Sequence, residues 1–453
     1  DVYKRQHEHY SYPEAIRYLA KKYNIEIEET QQTDEEKKQA DERESMYLVS
    51  EYARDYFERI LWEDDHGKAI GLSYFKERGY TEETIRKFQL GYALDNWDAF
   101  TREATNAGYD KKFLEATGLT IVKQDLLATS GTKEYDRFKG RVMFPIHSMS
   151  GRVLGFGGRI LSEVKKAAKY LNSPESAIYH KSDILYGIYY AKQAIAKKDN
   201  CFLVEGYTDV ISLNQAGIEN VVSSSGTALT ANQIRLVNRL TRNITILFDG
   251  DAAGIRASLR GIDLILEQGM NVKVVIFPEG EDPDSYAKSV SKTELNEYLE
   301  ENAQDFINFI VATLMDATKN DPVKRAGLIR DIVVSISKIP DRIQREVYLQ
   351  ECARIMDISE EVLFSELAQI HKKERREASR QPAYKKTPAP TLQKTPKHEA
   401  IDELKKYERE IIKILLLYGN LQVEFVEEDD TETEESKAHQ KKVRFYNVVA
   451  NES

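Results

Sequence analysis

Residues 201–209 read CFLVEGYTD, an apolar run that ends in a short acidic segment. Two later stretches repeat this arrangement: residues 244–251 read ITILFDGD, and residues 272–284 read VKVVIFPEGEDPD. The segments between them are long enough for helices, so the sequence predicts a parallel sheet with crossover helices. The carboxyl ends of parallel strands meet at one edge of such a sheet, where ligands bind. Six carboxylates are expected at that edge: Glu205, Asp209, Asp249, Asp251, Asp282 and Asp284.

Six neighbouring carboxylates would repel one another unless a cation lies among them. Mg²⁺ takes oxygen ligands and usually keeps several waters and substrate phosphates in its shell. A single aspartate in such a place could instead serve as a turn residue or a helix cap, but that explanation does not account for an ordered series of six. The residues alone therefore indicate a metal-dependent phosphoryl-transfer or hydrolase site.

The composition of the whole chain narrows the possible classes of protein. Its 453 residues correspond to about two to four domains. Two cysteines are too few for a disulfide framework or a thiolate zinc site, and no apolar run is long enough to span a membrane, so we expect a cytoplasmic protein without a membrane partner. The net charge of −10 argues against nucleic-acid binding by the entire surface. The chain opens DVYKRQ without methionine, which we interpret as the cut end of a longer protein.

A local basic face is nevertheless predicted over residues 133–192, where basic residues outnumber acidic ones about two to one. The residues flank strand-like runs at 141–146 and 153–159, with glycines and aromatics interleaved. This pattern favours a track for single-stranded nucleic acid over an ordinary solvated surface. The small residues at 223–230, SSSGTALT, fit a phosphate-binding turn and an ordinary turn equally well.

The remainder of the chain is predicted to be mostly helical. Helical periodicity covers residues 34–59, 285–317 and 323–370, with breaks at Pro322 and Pro340. The basic, proline-rich residues 371–398 predict a flexible linker, and an amphipathic segment at 401–417 begins a last module.

Taken in order, the acidic segments at 205–209, 249–251 and 282–284 resemble the three signatures of the Toprim domain. Type IA and type II topoisomerases, primases, some nucleases and small recombination proteins share that domain. Residues 137–146, 151–159 and 169–187 closely resemble the basic half of the bacterial DNA primase catalytic core of the DnaG type.

The resemblance implies an α/β protein, α+β when taken as a whole. It would combine an N-terminal mixed α/β basic subdomain, a Toprim parallel-sheet domain and a C-terminal helical subdomain. The corresponding boundaries are a linker remnant after a missing zinc-binding domain at 1–30, the basic subdomain at 31–198, the Toprim domain at 199–290, the helical subdomain at 291–370, a flexible linker at 371–400 and the start of a helicase-interacting region at 401–453.

The resemblance also implies a function, which is DNA-templated synthesis of short RNA primers by two-metal nucleotidyl transfer. Glu205, Asp249 and Asp251 would be the catalytic, metal-binding acids, and Asp209, Asp282 and Asp284 would complete the metal site. The residues implied to bind template or nucleotide are Arg137, Arg141, Arg159, Lys169, Asn172 and Lys181.

The cofactor implied is Mg²⁺, with Mn²⁺ as a substitute, and zinc is not expected without the zinc-binding domain. The implied partners are a single-stranded DNA template, ribonucleoside triphosphates and, through residues 401–453, the replicative helicase. The place of action would be the bacterial cytoplasm, at the replisome on the nucleoid.

Two alternatives remain open at this point. A Toprim nuclease or topoisomerase fragment would share the acidic series, and a topoisomerase would add a tyrosine nucleophile in a separate domain. The 26 tyrosines cannot decide this by count, but residues 137–187 favour a primase. A replisome adaptor without activity is the second alternative, and the intact acidic series argues against it.

Overall fold

The computed structural model describes residues 34–124, 132–161, 168–226, 228–249, 255–318 and 321–380, together with two strands at 422–425 and 441–444. The chain divides into two compact units, residues 1–375 and 376–453. The predicted linker remnant at 1–30, the amphipathic segment at 401–417 and Asp251 lie outside the described residues. None of the helices in the described part of the chain is long and apolar enough to cross a membrane.

The first part of the larger unit combines helices with antiparallel strands. Its helices are α1 (Asp34–Glu63), α2 (Ser73–Glu77), α3 (Glu82–Lys87), α4 (Ala99–Asn106), α5 (Lys111–Ala116) and α6 (Ile188–Lys198). Its strands are β1 (Gly91–Ala93), β2 (Thr120–Gln124), β3 (Thr132–Asp136), β4 (Arg141–His147), β5 (Val153–Ile160) and β6 (Tyr170–Asn172). Strands β1, β4, β5 and β6 form one sheet in the order β1-β4-β5-β6, while β2 and β3 form a separate hairpin.

Local sequence signals explain where these elements begin. Thr81 precedes α3 and its hydroxyl accepts a hydrogen bond from the Thr84 N–H, so Thr81 is the N-cap of that helix. Gly79 has φ of +82°, a left-handed conformation that glycine adopts without steric cost, so the chain can turn there before the helix.

The second sheet is the predicted parallel one. Its strands are β7 (Cys201–Val204), β8 (Val221–Ser223), β9 (Asn243–Phe248), β10 (Asn271–Ile276) and β11 (Gln304–Asp305). The connecting helices are α7 (Tyr207–Gln215), α8 (Ala231–Asn238) and α9 (Ile255–Glu267), and α10 (Pro283–Ser289) and α11 (Lys292–Glu301) follow β10. The spatial order is β11-β10-β9-β7-β8. Strands β7 to β10 are parallel, and the short edge strand β11 is antiparallel to β10.

Both faces of this sheet are buried. Val204, Leu247 and Val275 belong to a core that also contains the aromatic residues of the first part of the chain. Their neighbours Leu203, Ile246 and Val274 belong to a second core, shared with the C-terminal helices. Successive strand residues point to opposite faces, so the continuous apolar runs in the sequence follow from packing on both sides.

The C-terminal helices confirm the predicted breaks. They are α12 (Phe306–Thr318), α13 (Pro322–Ser337), α14 (Arg342–Met356) and α15 (Glu360–Arg380). Strand β11 interrupts the helical stretch expected over 285–317. Helix α15 continues to Arg380, so residues 371–380, which the sequence assigned to a linker, are helical. Lysine, glutamate, arginine and alanine are good helix formers, and the first proline of this segment is Pro382.

In the smaller unit, the structure describes one antiparallel pair, β12 (Gln422–Phe425) with β13 (Lys441–Arg444).

Candidate active site

The chain reverses its direction of winding between β7 and β9. It passes from β7 through α7 to β8 on one side, and then returns to β9 on the other side of β7. Leu203 of β7 is opposite Ile246 of β9, so the residues that follow these strands leave the sheet side by side. Crevices at such a switch point bind ligands in open α/β sheets. Here the crevice contains a cavity of about 360 Å³ that Glu205 and Phe248 help to line.

Glu205 directly follows β7, and its side chain is exposed. Its backbone carbonyl accepts hydrogen bonds from the Ser223 hydroxyl at 2.8 Å and from the Gly226 N–H at 3.1 Å. The small residues after β8 therefore wrap around the backbone of Glu205. This contact fixes the strand end and leaves the carboxylate facing solvent.

Asp209 lies in the first turn of α7 and accepts a hydrogen bond from the Gly206 N–H at 2.8 Å. Burial, together with the negative charges of Asp284, Asp282 and Asp249, raises the pKa of Asp209 to about 7. The fold thus brings these four carboxylates into one electrostatic field, at the sheet edge where the sequence expected them. In such a field, added negative charge is costly and a cation is favoured.

Asp249 is exposed at the end of β9. Asp282 caps α10, because its Oδ1 accepts a hydrogen bond from the Ser285 N–H at 2.7 Å. Asp284 is buried and has cationic partners: Arg78 Nη2 at 2.5 Å and Lys288 Nζ at 2.6 Å. The Ser212 hydroxyl donates a further hydrogen bond to it. The oxygens of Asp284 are therefore engaged within the protein, and Glu205 and Asp249 are exposed residues at the ends of neighbouring strands.

Within the described ranges, which exclude Asp251, no three His, Cys, Asp or Glu side chains converge in a metal-binding arrangement. Glu205 and Asp249 nevertheless offer only oxygen donors at adjacent strand ends. An oxygen-only set of carboxylates suits a hard cation such as Mg²⁺ or Mn²⁺ rather than zinc, which takes nitrogen and sulfur ligands in most of its sites. The residues present therefore fit the magnesium that the sequence implied.

The guanidinium groups of two predicted basic residues are hydrogen-bonded to backbone carbonyls. Arg141 is buried at the start of β4, and its guanidinium donates to the carbonyls of Gly158, Ala168 and Lys169 at 3.0 to 3.4 Å. Arg137 is partly buried and donates twice to the carbonyl of Asn172 at 3.3 Å. Burial lowers the pKa of both guanidinium groups. Arg141 therefore links β5 to the residues just before β6, and Arg137 is bonded to the end of β6.

The other predicted basic residues lie nearer to solvent. Lys169 is exposed and Lys181 is partly exposed. Arg159 is partly exposed, and its guanidinium lies 5.0 Å from the ring of Tyr74 and 5.7 Å from that of Tyr170. Its charge is thus held on an aromatic surface.

Asn172 connects the basic face to the acidic edge. Its Oδ1 accepts a hydrogen bond from the Tyr207 hydroxyl at 2.9 Å, and Tyr207 is only two residues beyond Glu205. Gly157 makes this approach possible, because a Cβ at that position would lie 2.6 Å from the Tyr207 ring. At Gly157 the absence of a side chain thus serves packing against Tyr207. Sequence reasoning missed Tyr207, although it lies inside the acidic segment itself.

Two families match consecutive parts of the chain. Residues 56–192 match the family described as DNA primase catalytic core, N-terminal domain, and residues 202–287 match a Toprim-like family. The crystal structure of a DNA primase domain from Pseudomonas aeruginosa is 33% identical with a TM-score of 0.63, and the match covers 71% of this chain and 99% of that one. The chain belongs to the bacterial DNA primase family of the DnaG type.

Curated members of the primase family support the assignment. The DNA primase of Halalkalibacterium halodurans is 35% identical over 82% of this chain and 61% of its own length. That of Clostridium acetobutylicum is 36% identical over 78% of this chain and 57% of its own length. The chain thus spans about three fifths of these primases. Residues 313–361 match a third family, described as the DnaB-helicase binding domain of primase, and this match lies N-terminal to the 401–453 region to which the sequence assigned helicase binding.

Proposed function

We propose that the chain is the catalytic core of a primase, which synthesises short RNA primers on single-stranded DNA from ribonucleoside triphosphates. The observation that carries the proposal is the Tyr207–Asn172 bond, which fixes the acidic switch point beside a basic, aromatic face. A solved structure whose title names the DnaG primase catalytic domain bound to single-stranded DNA is 33% identical with a TM-score of 0.61, which supports the template assignment.

In this proposal, the primer 3′-hydroxyl loses its proton and attacks the α-phosphate of a ribonucleoside triphosphate. A phosphodiester bond forms as the bond between the α-phosphorus and the bridging oxygen breaks, and pyrophosphate leaves. Glu205, Asp249 and Asp251 would hold Mg²⁺, or Mn²⁺ in its place, which stabilises charge on the attacking and leaving oxygens. Asp209, Asp282 and Asp284 would complete the acidic edge. Lys169, Lys181 and Arg159 would contact template or nucleotide phosphates, while Arg137, Arg141 and Asn172 hold that surface in place. The reaction would take place in the cytoplasm, at the replisome.

One assay separates this function from that of a Toprim nuclease or topoisomerase. We expect that the protein, incubated with a labelled single-stranded oligonucleotide, ribonucleotides and Mg²⁺, produces short RNA and leaves the DNA intact. Gel electrophoresis resolves the RNA product and the DNA oligonucleotide in the same lane. Cleaved or relinked DNA without RNA synthesis would refute the primase assignment.

We also propose a DnaB-type replicative helicase as a partner, bound through the helical region. The match to the helicase-binding family supports helicase binding by this region. An exposed apolar surface on α14 supports it as well. Ile343 and Val347 lie one turn apart on α14 and are 74% and 58% exposed. Large apolar side chains exposed on one helix face are typical of a protein–protein contact.

Replacing Ile343 and Val347 together by serine should weaken binding to a purified DnaB-type helicase at least about fivefold, because the interface loses two apolar side chains. Surface plasmon resonance with immobilised helicase measures the change. Leu48→Ser is the matched control, since Leu48 is 49% exposed on α1, outside the matched region. Equal loss in both variants, or in neither, would contradict the assignment of this face.

A further inference from the structure

A partly exposed aromatic pair, Trp97 and Tyr135, lies in the first part of the larger unit. Trp97, between β1 and α4, is 57% exposed, and its ring centroid lies 5.1 Å from that of Tyr135 in β3. The ammonium of Lys139 lies 5.4 Å from the Trp97 ring, and that of Lys123 lies 5.5 Å from the Tyr135 ring. Two neighbouring aromatic rings, each with a lysine beside it, combine the stacking surface and the positive charge that single-stranded nucleic acid requires.

The backbone holds this pair in a fixed position. The carbonyl of Trp97 accepts a hydrogen bond from the Asp136 N–H at 2.8 Å. The buried Asp136 carboxylate in turn accepts from the N–H groups of Phe100 and Thr101 at 2.8 and 2.9 Å, at the start of α4. Lys139 also contacts Asp95 at 3.2 Å. The exposed indole is therefore attached to a rigid scaffold, so stacking on it costs little ordering of the protein.

A short chain of contacts connects the pair to the acidic edge. Arg137 follows Asp136 and donates to the carbonyl of Asn172. The side chain of Asn172 accepts from the hydroxyl of Tyr207 at 2.9 Å. A strand that stacks on Trp97 would thus bind to the same rigid framework that carries Glu205.

We propose that Trp97 and Tyr135 form a stacking platform for bases of single-stranded nucleic acid, with Lys123 and Lys139 contacting its phosphates. The inference deepens the proposed function, because in a primase this strand is the template. It adds residues that the sequence did not single out as binding residues. Sequence-tolerant binding is expected, since every base has a face on which an aromatic ring can stack.

Intrinsic fluorescence tests the platform directly, because the chain has only two tryptophans. Trp62→Phe leaves Trp97 as the sole reporter. Within the described residues, the buried indole nitrogen of Trp62 has no hydrogen-bond partner, so its removal leaves no partner unsatisfied. Titration with oligothymidylate should quench Trp97 fluorescence. An abasic oligonucleotide of equal length should bind through its phosphates without that quenching.

Affinity measurements add an independent test by fluorescence anisotropy. Trp97→Leu should weaken oligothymidylate binding about tenfold, whereas Trp97→Phe should restore most of it, because stacking needs an aromatic face. The same Trp97→Leu variant should bind the abasic strand as well as the unmodified protein does, which a misfolded variant would not. Lys139→Ala should reduce the slope of log affinity against log salt by about one.

Unchanged Trp97 fluorescence at saturating oligothymidylate would overturn the platform, as would equal affinity of Trp97→Leu and the unmodified protein. Failure of the proposed function looks different. If the unmodified protein makes no RNA but its Trp97 fluorescence is still quenched, the platform stands and the primase assignment falls. If the protein makes RNA but its Trp97 fluorescence is unchanged, the primase assignment stands and the platform falls.

Discussion

Replacement of Asp249 by alanine should abolish RNA primer synthesis and leave single-stranded DNA binding close to that of the unmodified protein. Asp249 is exposed at the end of β9, beside Glu205 at the switch point, and its negative charge contributes to the field that raises the pKa of Asp209. Loss of this carboxylate would remove an oxygen ligand from the metal proposed there. The basic and aromatic surfaces that we propose to bind the strand would remain.

The size of the effect follows from the chemistry. A metal that stabilises charge in the transition state contributes several kcal/mol, and each 1.36 kcal/mol corresponds to a factor of ten in rate. We therefore expect synthesis to fall at least about a hundredfold. Incorporation of labelled ribonucleotide on a single-stranded template measures the rate, and fluorescence anisotropy with the same oligonucleotide measures binding.

Glu219→Gln is the matched control. Glu219 is an exposed acid that precedes β8, so it lies at the amino end of a strand in the same sheet, opposite the acidic edge. Its removal changes the net charge by the same amount as Asp249→Ala and should leave synthesis unchanged. Primer synthesis at the normal rate in Asp249→Ala would show that this carboxylate binds no essential metal. An equal loss in Glu219→Gln would show that the effect is only one of overall charge.

The sheet and the place of its acids could be predicted because both depend on local patterns. Continuous apolar runs such as 244–248 mark strands that are buried on both faces, and the carboxyl ends of parallel strands must share an edge. The capping box at the start of α8 likewise depends on short-range chemistry, because the Thr230 hydroxyl accepts from the Gln233 N–H and the Gln233 side chain accepts from the Thr230 N–H.

The direction in which a side chain points could not be predicted in the same way. Arg141 and Lys169 belong to the same basic segment, yet Arg141 is buried against backbone carbonyls while Lys169 is exposed. Charge in a sequence does not reveal whether a long side chain turns inward or outward. Local sequence patterns also could not predict the partner of Asp284. Arg78 lies 206 residues earlier, and only the fold brings the two side chains together.

That distant pair predicts the largest effect on stability. Asp284→Ala should lower the free energy of unfolding by about 3 kcal/mol, because it leaves the mostly buried Arg78 without its carboxylate partner. The variant also deprives Lys288 and the Ser212 hydroxyl of their acceptor. Urea denaturation followed by circular dichroism measures the loss. Asp282→Ala is the control, since it removes an exposed helix cap two residues away and should cost only about 1 kcal/mol.

A double-mutant cycle distinguishes the ion pair from simple loss of packing. Arg78→Met should also destabilise the protein, but combining it with Asp284→Leu should cost clearly less than the sum of the two single changes, because the guanidinium of Arg78 is then no longer left buried without its carboxylate partner. The coupling should reach about 1–3 kcal/mol. Strictly additive losses would contradict the pair. Both oxygens of Asp284 are engaged by Arg78, Lys288 and Ser212. We therefore expect Asp284→Ala to lower the free energy of unfolding more than Asp249→Ala does, and to lower Mg²⁺ affinity less.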